Sequence, residues 1–475
     1  MINFHRHTDR SIIVIFTIFL IISFILCMDV PFFWDAQLKV SRANWIYDTN
    51  FQNLIVPTEI NSGHPPLWIT FLAGSWALFG KSLWASRLLL LIVNWGVYYQ
   101  LLLLCKKLFS EKVSIWFFFL LCIEATLLAQ TTSLNNDMLL LFFVLLSANA
   151  IFVNRWWLLT LGLIGLLMTN LRGIYCLLAL LIIQLILYKK QLIPASKKMV
   201  WAYLISASVF GTFAWYQYSE LGWTIISQNK SYAEHRKVGS LRRVLHKGKY
   251  FVYHAFEYGR VFLWLPIFAM LYLAYKKYKW KMPSKIMIPL VGLSVFTLLF
   301  ILGFVPFTNP ISPRYLMICY IFGSILFLNL IFELAISKAV RRGLITLLAL
   351  GFLTGHFWVY PATVDQAWDS SLAYLNYYPV KKDMIAYIDQ QQIPESTIGT
   401  NLRMRNLYIV PAREPNRQFD FKKLNLDEND YVLFSNMEND TSLEDINTLR
   451  SNWIEVQSFS QLGIFMTLYK NPKRD

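Results

Sequence analysis

Charged residues are scarce in this sequence. Only 15% of its 475 residues are charged, whereas 56% are hydrophobic, and soluble domains carry about 25% charged residues. Apolar runs of about eighteen residues recur along the first three quarters of the chain, close to the roughly 20 residues needed to cross a bilayer. The composition therefore excludes an ordinary soluble protein and predicts an integral membrane protein.

Several motif classes are also absent. The sequence has no Gly-rich nucleotide loop, no Walker pattern and no zinc-ligand spacing, and its seven histidines are scattered. The five cysteines lie in or beside apolar segments without disulfide or metal-ligand spacing: Cys27, Cys105, Cys122, Cys176 and Cys319. These absences disfavour nucleotide-sugar use, a zinc site and a disulfide framework. No cofactor is expected to be required.

The net charge of +16 is high enough to raise the question of nucleic acid binding. However, most Lys and Arg residues lie in short clusters between apolar runs, a pattern of membrane topology. The clusters occupy alternate connections: Lys106, Lys107 and Lys112; Arg155; Lys189, Lys190, Lys197 and Lys198; Lys276 to Lys285; Lys338, Arg341 and Arg342. The positive-inside rule then predicts a cytoplasmic N-terminus and an external C-terminus, with no nucleic acid partner.

The apolar runs predict about eleven transmembrane helices, at 11–28, 83–104, 113–130, 137–153, 156–169, 173–188, 199–219, 261–275, 286–305, 314–335 and 341–360. The apolar stretch 66–79 is short for a span, so we predict an interfacial helix there. After about Pro361 the pattern becomes that of a soluble region, with a helix at 383–391 and strands at 407–410, 431–434 and 464–469. The predicted architecture is an all-α polytopic membrane domain (1–360, outer loops 29–82 and 220–260) and a small α/β domain (361–475) on the outer face.

Two carboxylates are candidates for chemistry at the outer side. Asp35 follows the aromatic residues Phe32 to Trp34 just beyond the first span, where partial desolvation would raise the basicity of its carboxylate. The alternative is a solvated Asp beside an interfacial aromatic belt. Asp137 stands where the short loop from Ser133 enters an apolar helix, and its alternative role is helix capping.

Basic residues at the same side are candidates for binding a phosphate. His64 precedes Pro65-Pro66, which would hold it at headgroup depth, while Arg172 and Arg314 lie at helix ends in short outer loops. The loop 220–260 breaks the positive-inside pattern with a basic group that includes Arg236, Arg242 and Arg243. The alternatives are a solvated turn for His64, snorkelling for the two helix-end arginines and contact with ordinary anionic headgroups for the loop.

Taken in order, these segments resemble the membrane glycosyltransferases of the GT-C fold, in the superfamily of protein O-mannosyltransferases and lipid A aminoarabinose transferases. The resemblance covers about 30–335 and is carried by Asp35, the stretch from His64 to Trp68, Leu78-Phe79-Gly80-Lys81-Ser82, Ala85-Ser86-Arg87-Leu88, Asn136-Asp137-Met138, Arg172-Gly173 and Ser312 to Leu316. It implies that Asp35 is the catalytic base and that Asp137 helps to build the site. It also implies that His64, Arg172 and Arg314 hold the donor phosphate.

The sequence departs from that family at two positions. Ala36 follows Asp35 where the family commonly has a second acidic residue, and His64 stands where a Lys often precedes Pro-Pro-Leu. The first departure leaves a single carboxylate at that point. The second makes phosphate binding by this side chain dependent on pH.

The sequence thus predicts a membrane glycosyltransferase of a bacterial inner membrane. It would move a sugar from a polyprenyl-phosphate donor to a hydroxyl of an acceptor lipid, glycan or protein, with inversion and with Asp35 as base. Arg242 and Arg243 are included in the predicted phosphate site. Asp35 and Asp137 could hold a divalent cation, although none is needed in principle. A flippase or transporter of lipid-linked sugar, a polysaccharide polymerase or ligase, and a non-catalytic assembly protein are the alternatives.

Overall fold

The computed structural model describes residues 6–194, 196–279, 281–401 and 419–474, and most of them are helical. The helices of the first three quarters of the chain are α1 Arg6–Cys27, α2 Asp35–Asp48, α3 Leu67–Phe79, α4 Leu83–Leu108, α5 Phe118–Cys122, α6 Ala125–Gln130, α7 Asp137–Phe152, α8 Trp156–Thr169, α9 Arg172–Lys189, α10 Lys197–Leu221, α11 Lys230–Ala233, α12 Leu241–Phe256, α13 Val261–Tyr278, α14 Ser284–Phe304, α15 Met317–Glu333 and α16 Lys338–Thr354. A 3₁₀ turn, Pro313–Leu316, leads directly into α15.

Six of these helical segments in the described part of the chain are long and apolar enough to cross a bilayer, namely α1, α4, α9, α10, α14 and the segment Pro313–Glu333. Helices α12 and α13 together make a seventh, with a bend of 94° between them. Helices α3, α7 and α8 are apolar but shorter. The chain is therefore a polytopic membrane protein, as predicted, whereas the number eleven stays a prediction.

The predicted helix 113–130 is wrong in one respect, because it is interrupted. A 3₁₀ turn, Ile115–Phe117, leads into α5, which ends at Cys122. Helix α6 then begins at Ala125, directly after Glu124. The Glu124 carboxylate accepts a hydrogen bond from the backbone N–H of Leu127 (2.8 Å) and another from Nε of Arg260 (2.8 Å). This buried charge caps a new helix and so breaks the apolar run.

Two further helices lie inside segments predicted as loops. Helix α2 occupies part of the first outer loop, and it buries Ala36, Val40, Ala43 and Ile46 on one face. Helix α12 occupies part of the loop 220–260 and buries Lys247, Phe251 and His254. Both helices mix polar and charged residues with apolar ones, so they lack the continuous apolar runs by which spans are found.

Three of the basic connections meet at one end of the helix bundle. Nζ of Lys106 lies 2.6 Å from Asp9, and Nζ of Lys112 lies 2.9 Å from Glu333. Nζ of Lys285 donates to the carbonyl of Lys107 at 2.7 Å. The beginnings of α2, α7 and α9 and the end of α14 lie together at another place, around the cavity described below.

The C-terminal part of the chain forms a mixed five-stranded sheet within the described residues. Its strands are β1 Ile398–Thr400, β2 Lys422–Lys423, β3 Tyr431–Ser435, β4 Ile454–Gln461 and β5 Ile464–Lys470, in the order β2-β1-β3-β5-β4. β1 is parallel to β2 and β3, and β5 is antiparallel to β3 and β4. Helices α17 Tyr377–Gln390 and α18 Leu443–Asn452 pack on the sheet. The predicted strands 431–434 and 464–469 are confirmed, whereas 407–410 lies outside the described residues.

Candidate active site

Five of the seven predicted site residues line one cavity of about 420 Å³, which we call the inner cavity: Asp35, His64, Asp137, Arg172 and Arg314. They come from five separate places in the sequence. Each lies at or near a helix start, because the connections between the helices meet at this end of the bundle. The arrangement brings carboxylates and cations to one enclosed space.

Asp35 is the first residue of α2, and its side chain is 45% exposed. The aromatic residues before it do not form a lipid-facing belt. Phe33 is buried, stacks on Trp34 (ring centroids 5.3 Å apart) and packs against Tyr374 of the C-terminal part (4.9 Å). These contacts fix the start of α2 and leave the Asp35 carboxylate facing the cavity.

Asp137 begins α7, and its side chain is almost wholly buried. Its Oδ1 atom lies 2.6 Å from a guanidinium nitrogen of Arg172, so the carboxylate forms a buried ion pair in addition to standing at a helix start. Asn170 orients the arginine, because its Oδ1 atom accepts hydrogen bonds from the backbone N–H (2.9 Å) and Nε (3.4 Å) of Arg172. The Arg172 guanidinium also lies 4.1 Å from the ring centroid of Tyr315, a cation–π contact.

Arg314 joins three carboxylates at the boundary of the inner cavity. Its guanidinium contacts Asp35 and Asp369, and its Nε atom lies 3.6 Å from Oδ2 of Asp137. Arg314 is buried. Snorkelling toward headgroups, the alternative reading of this arginine, therefore does not describe its position.

Asp369 belongs to the site but was not predicted. It follows the last predicted span, in a segment that hydrogen bonds to the membrane part: the Asp369 carbonyl accepts from Gln130 (2.7 Å) and the Ser370 carbonyl from Thr126 (3.0 Å). Burial raises the pKa of the Asp369 carboxyl, and Arg314 opposes this shift. No spacing pattern in the sequence marks Asp369, because its contact with Gln130 joins segments more than 200 residues apart.

Lys39 also belongs to the site, and a signal for it existed. It lies four residues after Asp35, and this spacing places two side chains on one face of a helix. Its Nζ atom donates to Oδ1 of Asn135 (2.7 Å), and the amide nitrogen of Asn135 donates to Asp369 (3.0 Å). Burial, followed by repulsion from Arg314, lowers the pKa of Lys39 to about 8.

His64 lines the inner cavity among cations. Gly63 before it has φ +76°, and a Cβ atom there would lie 2.6 Å from the carbonyl of Ile225, so only glycine allows this close approach of the two loops. Burial, followed by the charges of Arg236 and Arg42, lowers the pKa of His64 well below its ordinary value. The surroundings of His64 therefore favour its uncharged form over the protonated imidazole expected from the sequence. Its role in phosphate binding stays a prediction.

The two adjacent arginines of the basic loop lie elsewhere. Arg242 and Arg243 are exposed on α12, and neither lines the inner cavity. Arg243 lines a neighbouring cavity of about 650 Å³, the outer cavity, whereas Arg242 is absent from the described walls of both. The structure thus places Arg236 of the same basic group, and not Arg242, in the wall of the inner cavity, and the phosphate role of Arg242 stays a prediction.

The motif Ala85-Ser86-Arg87-Leu88 serves to position the site. Arg87 is buried, and its guanidinium donates to the backbone carbonyls of Thr132 and Val30. The hydroxyl of Ser86 accepts from Nε1 of Trp76 at 2.8 Å. The arginine thereby ties together the two connections that carry Asp35 and Asp137.

The carboxylates of the site are not arranged in a way that favours a divalent cation. Asp35 and Asp137 are both engaged by guanidinium groups, which a metal ion would have to displace. Within the described ranges, no group of three or more His, Cys, Asp or Glu side chains is arranged to hold a metal. The expectation that no cofactor is required stays a prediction.

No protein-family model and no curated protein matches the sequence. Two crystal structures of ArnT from Cupriavidus metallidurans match the structure, each with a TM-score of 0.52. The one bound to undecaprenyl phosphate is 13% identical, and the match covers 96% of this chain and 97% of that chain. The apo structure is 12% identical, with 97% and 98% covered. Identity this low shows the fold alone, and the fold is the GT-C fold of lipid A aminoarabinose transferase that the motifs predicted.

Proposed function

We propose that the protein is a membrane glycosyltransferase that moves a sugar from a polyprenyl phosphate to an acceptor hydroxyl. The observation that carries the proposal is the inner cavity, which combines an accessible carboxylate, a group of cations and an apolar wall. A similarly folded protein, ArnT, has been crystallised with undecaprenyl phosphate. That likeness supports a polyprenyl lipid as the carrier.

The donor phosphate would bind the cationic side of the inner cavity. Arg42, Arg172 and Arg236 line that side together with Lys39 and His64. Guanidinium groups suit a phosphate because they present paired N–H donors. Neutralising the phosphate makes it a better leaving group. Negative charge develops on the phosphate as it leaves, so cations placed beside it stabilise the transition state.

The polyprenyl chain would leave along the apolar wall of the same cavity. This wall is formed by Ile174 and Tyr175 of α9, Gly303 and Phe304 of α14, and Ile225, Ile226 and Phe307 of the connecting segments. Gly303 brings α14 close to α9, since a Cβ there would meet the Tyr175 ring at 2.7 Å. The lipid would thus lie against two helices that can cross the bilayer.

Asp35 is proposed as the general base. The acceptor oxygen would attack the anomeric carbon and form the new glycosidic bond, while the bond from that carbon to the phosphate oxygen breaks. The acceptor proton would pass to Asp35, and the polyprenyl phosphate would leave. One displacement of this kind inverts the anomeric configuration. Arg314 would hold the Asp35 carboxylate in position through its contact with it.

The acceptor would enter through the outer cavity. The walls of the two cavities have six residues in common: Asp35, His235, Asn309, Pro310, Arg314 and Tyr315. An acceptor in one cavity could therefore reach a donor in the other at Asp35. The region 361–475, proposed as a separate soluble domain, supplies part of the outer wall. It would therefore recognise the acceptor while covering the site.

The proposed location is the bacterial inner membrane, with the lysine-rich end of the bundle in the cytoplasm and the cavities on the outer side. A transporter or flippase is the competing class. Transporters bind substrate near the middle of the membrane at broken helices of repeated halves. Here the carboxylates and cations of the inner cavity lie at helix starts and in connections. This position favours transfer chemistry at a membrane surface over passage.

The test is a transfer assay with the full chain in lipid nanodiscs. Bacterial envelope lipids supply the polyprenyl-phosphate sugars and the acceptors, and mass spectrometry follows both. We expect a polyprenyl-phosphate sugar to be consumed, polyprenyl phosphate to appear and one acceptor to gain the mass of the sugar. No consumption, or equal consumption by the Asp35→Asn variant, would contradict the proposal.

A further inference from the structure

The outer cavity has two chemically different walls. Along one wall, α12 presents His246, Tyr250 and His254. The opposite wall comes from the C-terminal part of the chain and carries acidic and amide groups, with Asp365, Asn401, Glu438 and Asp440 among them. Its volume of about 650 Å³ falls within the roughly 300–1,000 Å³ of pockets that enclose small molecules. This size fits a short compound better than a protein surface.

The rings on α12 form a stripe with a spacing of four residues. The ring centroids of His246 and Tyr250 are 4.8 Å apart, and those of Tyr250 and His254 are 6.0 Å apart. His246 is exposed, whereas His254 is buried and its Nδ1 atom lies 2.8 Å from Glu257. The stripe therefore runs from the mouth of the cavity to its floor. Ring faces of this kind pack against apolar C–H surfaces while their polar atoms meet hydroxyls.

Glu438 is the most informative group of the opposite wall. Its side chain is buried, one carboxylate oxygen is bonded to the Thr441 hydroxyl, and the Asn401 side chain lies beside the carboxyl. Oε2 makes no hydrogen bond of good geometry within the described part of the chain. A buried acceptor without a partner costs free energy that a ligand hydroxyl would recover. Burial also raises the pKa of Glu438 to about 7, so that near neutral pH it can accept or donate a hydrogen bond.

The charge of the outer cavity is opposite to that of the inner one. Its described walls carry the carboxyl groups of Asp35, Asp365, Asp369, Glu438 and Asp440, against the cations Arg243, Lys247 and Arg314. Acidic groups therefore outnumber cations even though Glu438 is only partly ionised near neutral pH. Nζ of Lys247 is engaged by the backbone carbonyls of Phe304 (2.7 Å), Asn309 (2.6 Å) and Phe307. Arg314 is engaged by carboxylates. A phosphorylated acceptor would therefore meet net repulsion here.

We propose that the outer cavity binds an uncharged saccharide, whose hydroxyl is the acceptor of the transferred sugar. This inference rests on the proposed function and names its acceptor class. The apolar face of the sugar ring would lie on Tyr250 and its neighbouring histidines. Its hydroxyls would bond to Glu438 and the adjacent acidic and amide groups, and one hydroxyl would reach Asp35. The donor phosphate stays on the other side of Arg314, among the cations.

The test is binding of the full chain, in nanodiscs without donor, to an array of neutral, amino, phosphorylated and peptide-linked glycans. We expect neutral glycans to bind. The Glu438→Ala and Tyr250→Leu variants, on separate walls, should each weaken this binding at least about fivefold, and Glu438→Gln should weaken it less than Glu438→Ala. Glu444→Ala, an exposed acidic residue of α18, is the control and should bind like the parent chain.

Binding to phosphorylated glycans alone, binding to no glycan, or neutral-glycan binding unchanged in both wall variants would overturn the inference. Undecaprenyl phosphate binding, measured on the same samples, separates it from the proposed function. Failure of glycan binding with undecaprenyl phosphate bound would reject the saccharide acceptor alone. Neutral-glycan binding that depends on Glu438, without binding of undecaprenyl phosphate, would instead reject the transferase.

Discussion

The Arg314 guanidinium contacts the Asp35 carboxylate, although 279 residues separate them in the sequence. The contact joins α2, in the first long loop, to the 3₁₀ turn that precedes α15. Arg314 also contacts Asp369, which comes from beyond the last long helix. The boundary between the inner and outer cavities is therefore assembled from three distant parts of the chain.

Removing the charge of Asp35 should abolish transfer without unfolding the protein. Loss of a general base typically costs 10²- to 10⁴-fold in rate, so we expect Asp35→Asn to lower turnover at least about 100-fold. The side chain is 45% exposed and its replacement is isosteric, so the thermal midpoint should change little. Transfer rate and thermal unfolding of the purified variant measure the two effects.

Asp48 provides the matched control because it ends the same helix, its side chain is exposed and it lines neither cavity in the described structure. Asp48→Asn should keep the parent rate. If Asp48→Asn lost as much activity as Asp35→Asn, the loss would reflect disturbance of α2 and not base catalysis.

Arg236 should contribute to donor binding. A hydrogen bond to a charged group is worth about 1.5–3 kcal/mol, so Arg236→Ala should weaken undecaprenyl phosphate binding by roughly tenfold or more. Arg242→Ala removes an exposed arginine of the same basic group and should change the affinity by less than about twofold. Native mass spectrometry with undecaprenyl phosphate measures both. A larger loss of affinity in Arg242→Ala than in Arg236→Ala would instead place the phosphate site on α12.

The sequence predicted the inner cavity better than it predicted the outer one. Asp35, Asp137, Arg172 and Arg314 were found because each lies at or just beyond an end of a predicted span. His64 was found because it precedes Pro65-Pro66 at the start of the predicted interfacial helix. The predicted topology puts these connections on one side of the membrane, and the packing of the helices brings the five side chains into one cavity. The fold, and with it these positions, was therefore accessible from hydropathy and a few motifs.

Other features required tertiary information. Asp369 and Glu438 are ordinary acidic residues in a soluble-like segment, and only packing against the helical region brings them to a cavity. Helices α2 and α12 mix polar and apolar residues, so a search for continuous apolar runs does not detect them. The break at Glu124 depends on Arg260, a partner 136 residues away. Local pattern does not specify such pairs.

The buried pair of Asp137 and Arg172 should be important for stability. Removing one member leaves the other charge buried, which costs about 3–5 kcal/mol. Asp137→Ala should therefore lower the free energy of unfolding by about 3 kcal/mol, and Asp137→Ala combined with Arg172→Leu should recover part of this loss. Denaturant unfolding in detergent provides the measurement.

The exposed pair of Arg474 and Asp430, with 3.1 Å between the charged groups, is the comparison for that experiment. Exposed pairs contribute about 0–1 kcal/mol, so Asp430→Ala should have little effect. Equal losses in Asp137→Ala and Asp430→Ala would show that burial of the Asp137 pair does not matter for stability.

Donor binding should weaken as the pH rises through about 8. Burial lowers the pKa of Lys39 to about 8, so the ammonium group is charged below this pH and loses its charge above it. The effect on the stability of the folded protein has the opposite sign. Burying the charged ammonium group is unfavourable, so the folded state is fully destabilised below about pH 8. This destabilisation fades as the pH rises from about 8 to the ordinary pKa of lysine. Undecaprenyl phosphate affinity from pH 7 to 9 tests the effect on binding. The second ionisation of the phosphate has a pKa of about 6 and is largely complete above pH 7, so it does not account for a change in affinity over this range.

Lys39→Arg keeps its charge over this pH range and should bind the lipid with nearly constant affinity. The pKa of His64 is already well below its ordinary value, so its titration should not contribute between pH 7 and 9. A fall in affinity of the same size in Lys39→Arg would assign the pH dependence to another group.

The most direct measurement is a cryo-electron microscopy structure of the protein with undecaprenyl phosphate. The account predicts that the phosphate lies in the inner cavity, within hydrogen-bond distance of Arg172 or Arg236 and near Asp35, with the polyprenyl chain against α9 and α14. A phosphate bound at the lysine-rich end of the bundle, or outside the cavity on α12, would contradict it.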